Sequence, residues 1–173
     1  MRYAQIRQMD ISNGLGIGVA LFVQGCEFHC KGCFNSETWD FNDGKEFTDD
    51  TIDTILKLCD KPYMTRLSIL GGEPLHPRNR ETIALLCAKF KKQFPKKQLW
   101  LWTGYDLEEF LELNCNKEFL KNIDYLITGR FIEKLKNLNL RFRGSYNQRI
   151  HKNISNENIA FRDDTFVFDL YKE

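Results

Sequence analysis

No apolar run in this sequence approaches the length of a membrane span. The longest in the N-terminal third, Ile17 to Val23, falls far short of the ~20 residues required. Met1 to Asp10 has neither an apolar core nor a small-residue cleavage pattern, so no secretory signal is expected and the expected compartment is the cytoplasm. Neither sign of charge dominates: 25 Lys and Arg against 24 Asp and Glu leave +1, which gives no global pull towards nucleic acid or a membrane surface. Six cysteines in 173 residues are too few for a disulfide scaffold, for which roughly 8–10% is the mark. Only four prolines occur, and none marks a linker. No repeat and no low-complexity tract divides the chain. At 173 residues it is too short for a complete eight-fold barrel of ~250. With 14 Phe, 6 Tyr and 3 Trp it is not a disordered chain either. What remains is a single globular domain, residues 1–173, in which clustered cysteines suggest metal or redox chemistry.

Short apolar runs alternate with helical patterns. Strands are expected at Gly18–Val23, Leu67–Leu70, Gln98–Trp102, Tyr125–Thr128 and Thr165–Leu170, with an edge strand within Tyr3–Ile11. Ile52, Ile55, Leu56 and Cys59 form one helical stripe behind the capping oxygens of Thr48-Asp49-Asp50. Ile83, Leu86, Cys87, Phe90 and Phe94 form a second, ended by Pro95. Asp106 and Glu109 suit a capping box opening a third helix, with Leu107, Phe110 and Leu111 on one side, and Phe119, Leu120 and Ile123 suggest a fourth. Strands alternating with amphipathic helices predict an α/β fold: a shortened, open, partial (β/α) barrel with a mainly parallel sheet. In such sheets chemistry gathers at the carboxyl ends of the strands.

Two motifs fall there. The first, Gly25-Cys26-Glu27-Phe28-His29-Cys30-Lys31-Gly32-Cys33-Phe34-Asn35, carries cysteines spaced C-x3-C-x2-C. Three thiolates on one short loop can hold three irons of a cubane cluster and leave the fourth open to a non-protein ligand. Two other readings stay open on spacing alone. Offsets of 0, 4 and 7 also suit a buried helix stripe, although Gly25 and Gly32 oppose it. The three cysteines with His29 could also form a structural zinc site. Cys59 and Cys87 lie on helix stripes and are expected to pack; Cys115 has no assigned role. The second motif, Gly71-Gly72-Glu73-Pro74, follows the second parallel strand. Its glycines let a ligand approach the backbone, Glu73 offers negative charge to an ammonium, and Pro74 stiffens the turn.

Together these motifs resemble the radical S-adenosylmethionine (SAM) superfamily. Phe22–Cys26, Gly32–Asn35 with Trp39, Gly71–Pro77, Trp100–Tyr105, Gly129–Phe131 and Arg143–Gln148 look like its family of anaerobic ribonucleoside-triphosphate reductase activators, over residues 1 to about 150. The segment 154–173 carries no motif of that family. The resemblance implies a shortened open α/β barrel and a [4Fe-4S] cluster on Cys26, Cys30 and Cys33. It implies SAM chelating the fourth iron, with Gly32, Cys33 and Phe34 in the SAM-contacting turn. Gly72, Glu73 and Pro74 then form the strip that receives the SAM amino group. It further implies reductive cleavage of SAM and a glycyl radical on the large subunit of the reductase, with an electron from a carrier such as flavodoxin. Three positions depart from the family pattern: Gly32 stands where an aromatic residue is frequent, Leu15 where proline is, and Thr128 where an acidic residue is.

No protein side chain is needed as a general base in that chemistry, so His29, His76 and His151 are read as polar loop residues. Trp100 and Trp102 alternate with Leu99 and Leu101 and are read as packing. Arg130, Arg141, Arg143 and Arg149 are read as a solvated basic face that can meet the partner or the SAM carboxylate. Charge reversal at Arg143 is then expected to weaken the complex at constant iron content. Gly72→Val is expected to weaken SAM binding while sparing the cluster.

Overall fold

The computed structural model describes residues 1–113, 117–155 and 159–170. In chain order the strands are β1 (Arg2–Asp10), β2 (Ile17–Val23), β3 (Lys45–Glu46), β4 (Met64–Gly71), β5 (Gln98–Trp102), β6 (Tyr125–Thr128), β7 (Arg149–Asn153) and β8 (Phe161–Asp163). The helices are α1 (Asp49–Cys59), α2 (Arg80–Gln93), α3 (Leu107–Glu112), α4 (Lys117–Lys121) and α5 (Thr165–Leu170). Among the described residues the strands form one open sheet in the order β3-β1-β2-β4-β5-β6-β7-β8.

The central strands β2, β4, β5 and β6 are parallel. The flanking pairings of β1 with β2 and β3, and of β7 with β6 and β8, are antiparallel. The sheet is therefore mixed rather than mainly parallel. The polar strands β7 (RIHKN) and β8 (FRD) lack the apolar run by which the central strands announce themselves. The pairing of β1 with β2 shifts register between Tyr3 and Gln5 and again between Arg7 and Asp10. The largest correction is Thr165–Leu170, expected as a strand and found as a helix.

Alternate strand residues face opposite layers. Val19, Leu21, Val23, Leu67, Ile69, Leu99, Leu101 and Leu126 meet the helices. There Ile52, Ile55, Leu56 and Cys59 of α1, and Ile83, Leu86, Cys87 and Phe90 of α2, are buried as the stripes predict. The expected capping box at α3 is present: Glu109 N donates to Asp106 Oδ1, and Asp106 N donates to Glu109 Oε2, both at 2.9 Å. Phe110 of that helix is buried while Leu111 is exposed, so its apolar face is narrower than expected.

On the other face, β4 presents a buried cation. Arg66 Nη2 donates to Asp10 Oδ1 at 2.8 Å and to the Asp10 carbonyl at 2.8 Å, with both side chains at most 2% exposed. Arg66 Nη1 reaches Ser68 Oγ at 2.6 Å. Burial raises the Asp10 carboxyl pKa, but bonds from Arg66 and Asn13 outweigh it and leave the net shift downward. The pair fixes the start of the loop between β1 and β2. Asp10→Ala leaves an uncompensated buried guanidinium, and a loss of about 3–5 kcal/mol is expected in urea unfolding.

Candidate functional site

The carboxyl ends of the four parallel strands open into one cavity of about 370 Å³. Each strand end contributes to its lining: Cys26 beyond β2, Gly72 and Glu73 beyond β4, Thr103 and Gly104 beyond β5, Gly129 and Arg130 beyond β6. The backbone continues to pair beyond the strands. Gly72 N donates to Val23 O at 2.9 Å, Glu73 N to Gly25 O at 2.8 Å, and Thr103 N to Ile127 O at 2.9 Å. The two motifs are thus laced together through the residue that precedes the first cysteine.

The cysteine segment is a loop, which removes the helix-stripe reading. Gly25 enters it at φ 98°, and Gly32 turns it again at φ 72°. His29, at φ 44°, is a left-handed non-glycine residue stacked on Trp39 at 4.6 Å. A short hydrogen-bonded turn joins Cys33 N to Cys30 O at 3.0 Å, and Asn35 N lies 3.4 Å from Cys33 Sγ. All three cysteines are half-buried and all three border the cavity. No three His, Cys, Asp or Glu side chains among the described residues are placed to hold a single metal ion. Burial raises the Cys30 thiol pKa and lifts that of Cys26 to about 11, the negative charge of Glu73 adding to the effect at Cys26. Such shifts keep the bare Cys26 and Cys30 thiols protonated, and positive charge from a bound metal would favour their thiolates. A thiol-only donor set bordering a cavity fits a cluster with room for a further ligand.

Phe34, Gly72 and Glu73 also line the cavity, whereas Gly32 and Pro74 do not, Pro74 being buried. Phe34 is half exposed, with its ring 5.1 Å from that of Phe131. The Glu73 carboxylate is heavily engaged inside the protein. It accepts from Leu75 N at 2.9 Å, Thr103 Oγ1 at 2.8 Å and Gly104 N at 2.7 Å. It therefore joins the loop after β4 to the loop after β5. Full burial raises its pKa to about 7 against the lowering effect of those bonds. An acid whose folded pKa exceeds its unfolded value holds extra protons only when folded. Stability is then fully present below about pH 4.5 and falls as pH rises towards and through about 7. A decline of order 3 kcal/mol between pH 5 and 8 is expected from this group alone. Glu73→Gln removes that slope while lowering stability throughout, because an amide nitrogen cannot accept from the Gly104 or Leu75 amide. Urea titrations of both proteins across this range check it.

Several cavity residues carried no such signal in the sequence. Trp102, expected to pack, lines the cavity and donates Nε1 to Phe142 O at 2.7 Å, while Trp100 is fully buried as expected. Thr128, in place of an acidic residue, meets buried His151 at 2.9 Å across β6 and β7, so His151 is a strand residue and not a loop residue. His76 is buried too, with Nε2 3.3 Å from Glu27. The basic face divides. Arg130 is exposed, borders the cavity, pairs with Glu109 at 3.1 Å and covers the Phe28 ring at 4.6 Å. Arg143 is buried and held by Asp169, so it is not a surface residue for a partner, and charge reversal there would disrupt the fold instead. Cys115 lies outside the described residues.

No described helix is long and apolar enough to cross a membrane. The family described as a 4Fe-4S single cluster domain matches residues 12–151. An anaerobic ribonucleoside-triphosphate reductase-activating protein from Enterobacteria phage T4 is 41% identical over 153 residues, covering 88% of this chain and 95% of the relative. Proteins of the same description from Vibrio cholerae and Escherichia coli K12 are 40% and 39% identical over 154 residues, each covered to 98%.

Proposed function

We propose, from the premise that the chain belongs to the family of anaerobic ribonucleoside-triphosphate reductase-activating proteins, that it is a radical SAM activase that installs a glycyl radical on the large reductase subunit. The observation that carries this reading is the convergence of Cys26, Cys30, Cys33 and the Gly72-Glu73 strip on one cavity at the strand ends. Cys26, Cys30 and Cys33 would hold a [4Fe-4S] cluster. When bound with SAM, that cluster supplies one-electron cleavage of the sulfonium–carbon bond and hence the species that takes hydrogen from a partner glycine.

The chain's own contribution is binding, orientation and exclusion of water. Gly72 brings bare backbone beside the cysteine loop, where the SAM amino group needs acceptors. Glu73 is committed to Leu75, Thr103 and Gly104, so its role is to set the shape of this strip. Phe28, Phe34, Trp39, Trp102 and Phe131 give the cavity an aromatic lining, which limits water around a reactive species. No side chain is asked to move a proton. The substrate glycine belongs to a protein and must be brought to the cavity from outside.

Anaerobic purification with iron, sulfide and zinc analysis tests the cofactor, with about four iron and four sulfide per chain expected. Reductant, SAM and the large reductase subunit together should give a glycyl radical on that subunit by electron paramagnetic resonance. Zinc in place of iron would sink the reading. Normal SAM cleavage without a partner radical would redirect it to another substrate.

A further inference from the structure

Helix α5 lies beyond the matched residues 12–151, yet it packs against the back of the cavity wall. On α5, Phe168 is buried with its ring 5.5 Å from Phe142, 6.0 Å from Trp100 and 6.0 Å from Tyr125. The next residue, Asp169, accepts from Arg143 Nη2 through Oδ1 at 2.6 Å and Oδ2 at 2.8 Å. Phe142 and Arg143, the two residues gripped in this way, both line the cavity.

Neither would hold its conformation unaided. Phe142 sits at φ 60°, a left-handed conformation that a bulky side chain rarely adopts and that survives only where its surroundings impose it. The Arg143 side chain is only 1% exposed, and its Nε and Nη1 are buried without acceptors. Among the described residues its counter-charge is the carboxylate of Asp169, 26 residues further along the chain.

We propose that α5 is a brace for the ligand cavity, with Asp169 a positioning residue that acts through Arg143 to fix the wall at Phe142–Gly144. The link to SAM rests on the functional reading above; the brace itself does not. If the tail only covered apolar surface, Phe168 would suffice and the Asp169 charge would be dispensable. With the charge acting, its loss leaves a buried guanidinium unpaired. Arg143 must then turn towards solvent and carry Phe142 out of its left-handed conformation, and the wall loosens. Gly144 abuts the ring of Phe34, next to Cys33, but the backbone bonds that hold the cysteine loop run to Thr38, Trp39 and Cys30 and not to this wall, so cluster assembly is expected to be spared.

The test uses the full reconstituted chain with Asp169→Asn, Asp169→Glu, Arg143→Met and the Asp169→Asn/Arg143→Met double variant. Three quantities are read: iron per chain, SAM affinity by calorimetry, and amide exchange over residues 140–148. For Asp169→Asn we expect unchanged iron, faster exchange at 140–144, and SAM affinity about tenfold weaker, the scale of loss when a group supporting a binding residue is removed. Asp169→Glu should restore part of both changes. The double variant should be no worse than Arg143→Met alone, because the carboxylate acts only through that arginine. Unchanged exchange at 140–144 in Asp169→Asn would overturn the brace, as would loosening confined to α5. If the parent protein binds no SAM, the functional reading falls while the exchange data still decide the brace. Should Arg143→Met fail to fold, the Asn and Glu variants at 169 decide it.

Discussion

Gly72→Ala is expected to damage both halves of the site at once. A Cβ at this position would stand 2.5 Å from the carbonyl oxygen of Gly25, 2.9 Å from its carbonyl carbon and 3.0 Å from its nitrogen. These are backbone atoms, so no side-chain rotation relieves the clash. Gly25 is itself tied by its amide to Thr38 O at 2.8 Å, and its carbonyl receives Glu73 N. The displaced residue is the one immediately before Cys26. The expectation formed on the sequence, that Gly72→Val would leave the cluster intact, is therefore revised: even the methyl group of alanine reaches the cysteine loop. Iron content after reconstitution should fall below half that of the parent protein, and SAM binding by calorimetry should drop by at least about tenfold, in line with a ~1–3 kcal/mol overpacking strain. Full iron with weakened SAM binding would restore the earlier expectation.

Removal of any one thiol from the loop should have an effect of similar size by a different route. Cys26→Ala, Cys30→Ala and Cys33→Ala are each expected to lose stable iron and all SAM cleavage, because on the proposed assignment each takes away one of three thiolate ligands. Cys59→Ala and Cys87→Ala provide the control. Both thiols are fully buried, and burial holds the Cys59 thiol up at about 12. They lie in the apolar core between sheet and helices, so these variants should keep iron and lose a modest amount of stability. Iron and sulfide analysis with visible spectra of all five variants checks the assignment, which fails if Cys59 is essential and Cys30 is not.

The parts of the site legible in the sequence are those whose chemistry is written locally. Three cysteines within eight positions and a Gly-Gly-Glu run each sit directly after an apolar strand, and the four central strands could be read from their apolar runs. Other parts depend on partners distant in the chain. Thr165–Leu170 has the β-branched and aromatic composition of a strand, and a six-residue apolar run does not separate strand from helix. The Asp163 side chain accepts from Thr165 N at 2.8 Å where the helix begins, and Phe168 is drawn to an aromatic pocket assembled from β5, β6 and the loop before β7. Arg143 reads as a surface charge until its partner at 169 is in view. Glu73 reads locally only as negative charge offered to an ammonium; the bonds it accepts from Thr103 and Gly104, in the loop after β5, depend on residues distant in the chain.

The register shifts in β1 bear on how the protein behaves in crowded solution. Among the described residues β3 covers only Arg2 and Tyr3 of β1, so from Ala4 to Met9 this nine-residue strand has no further strand on its outer edge. A long straight edge is a template on which a second molecule can add a strand and begin a filament. Here the pairing is interrupted twice within that stretch, and such irregularities kink and twist a strand away from the flat geometry that propagation requires. At the opposite border the last strand is three residues long, with Arg162 and Asp163 both exposed. Among the described residues, both margins of this open sheet therefore resist the edge-to-edge addition of a further strand.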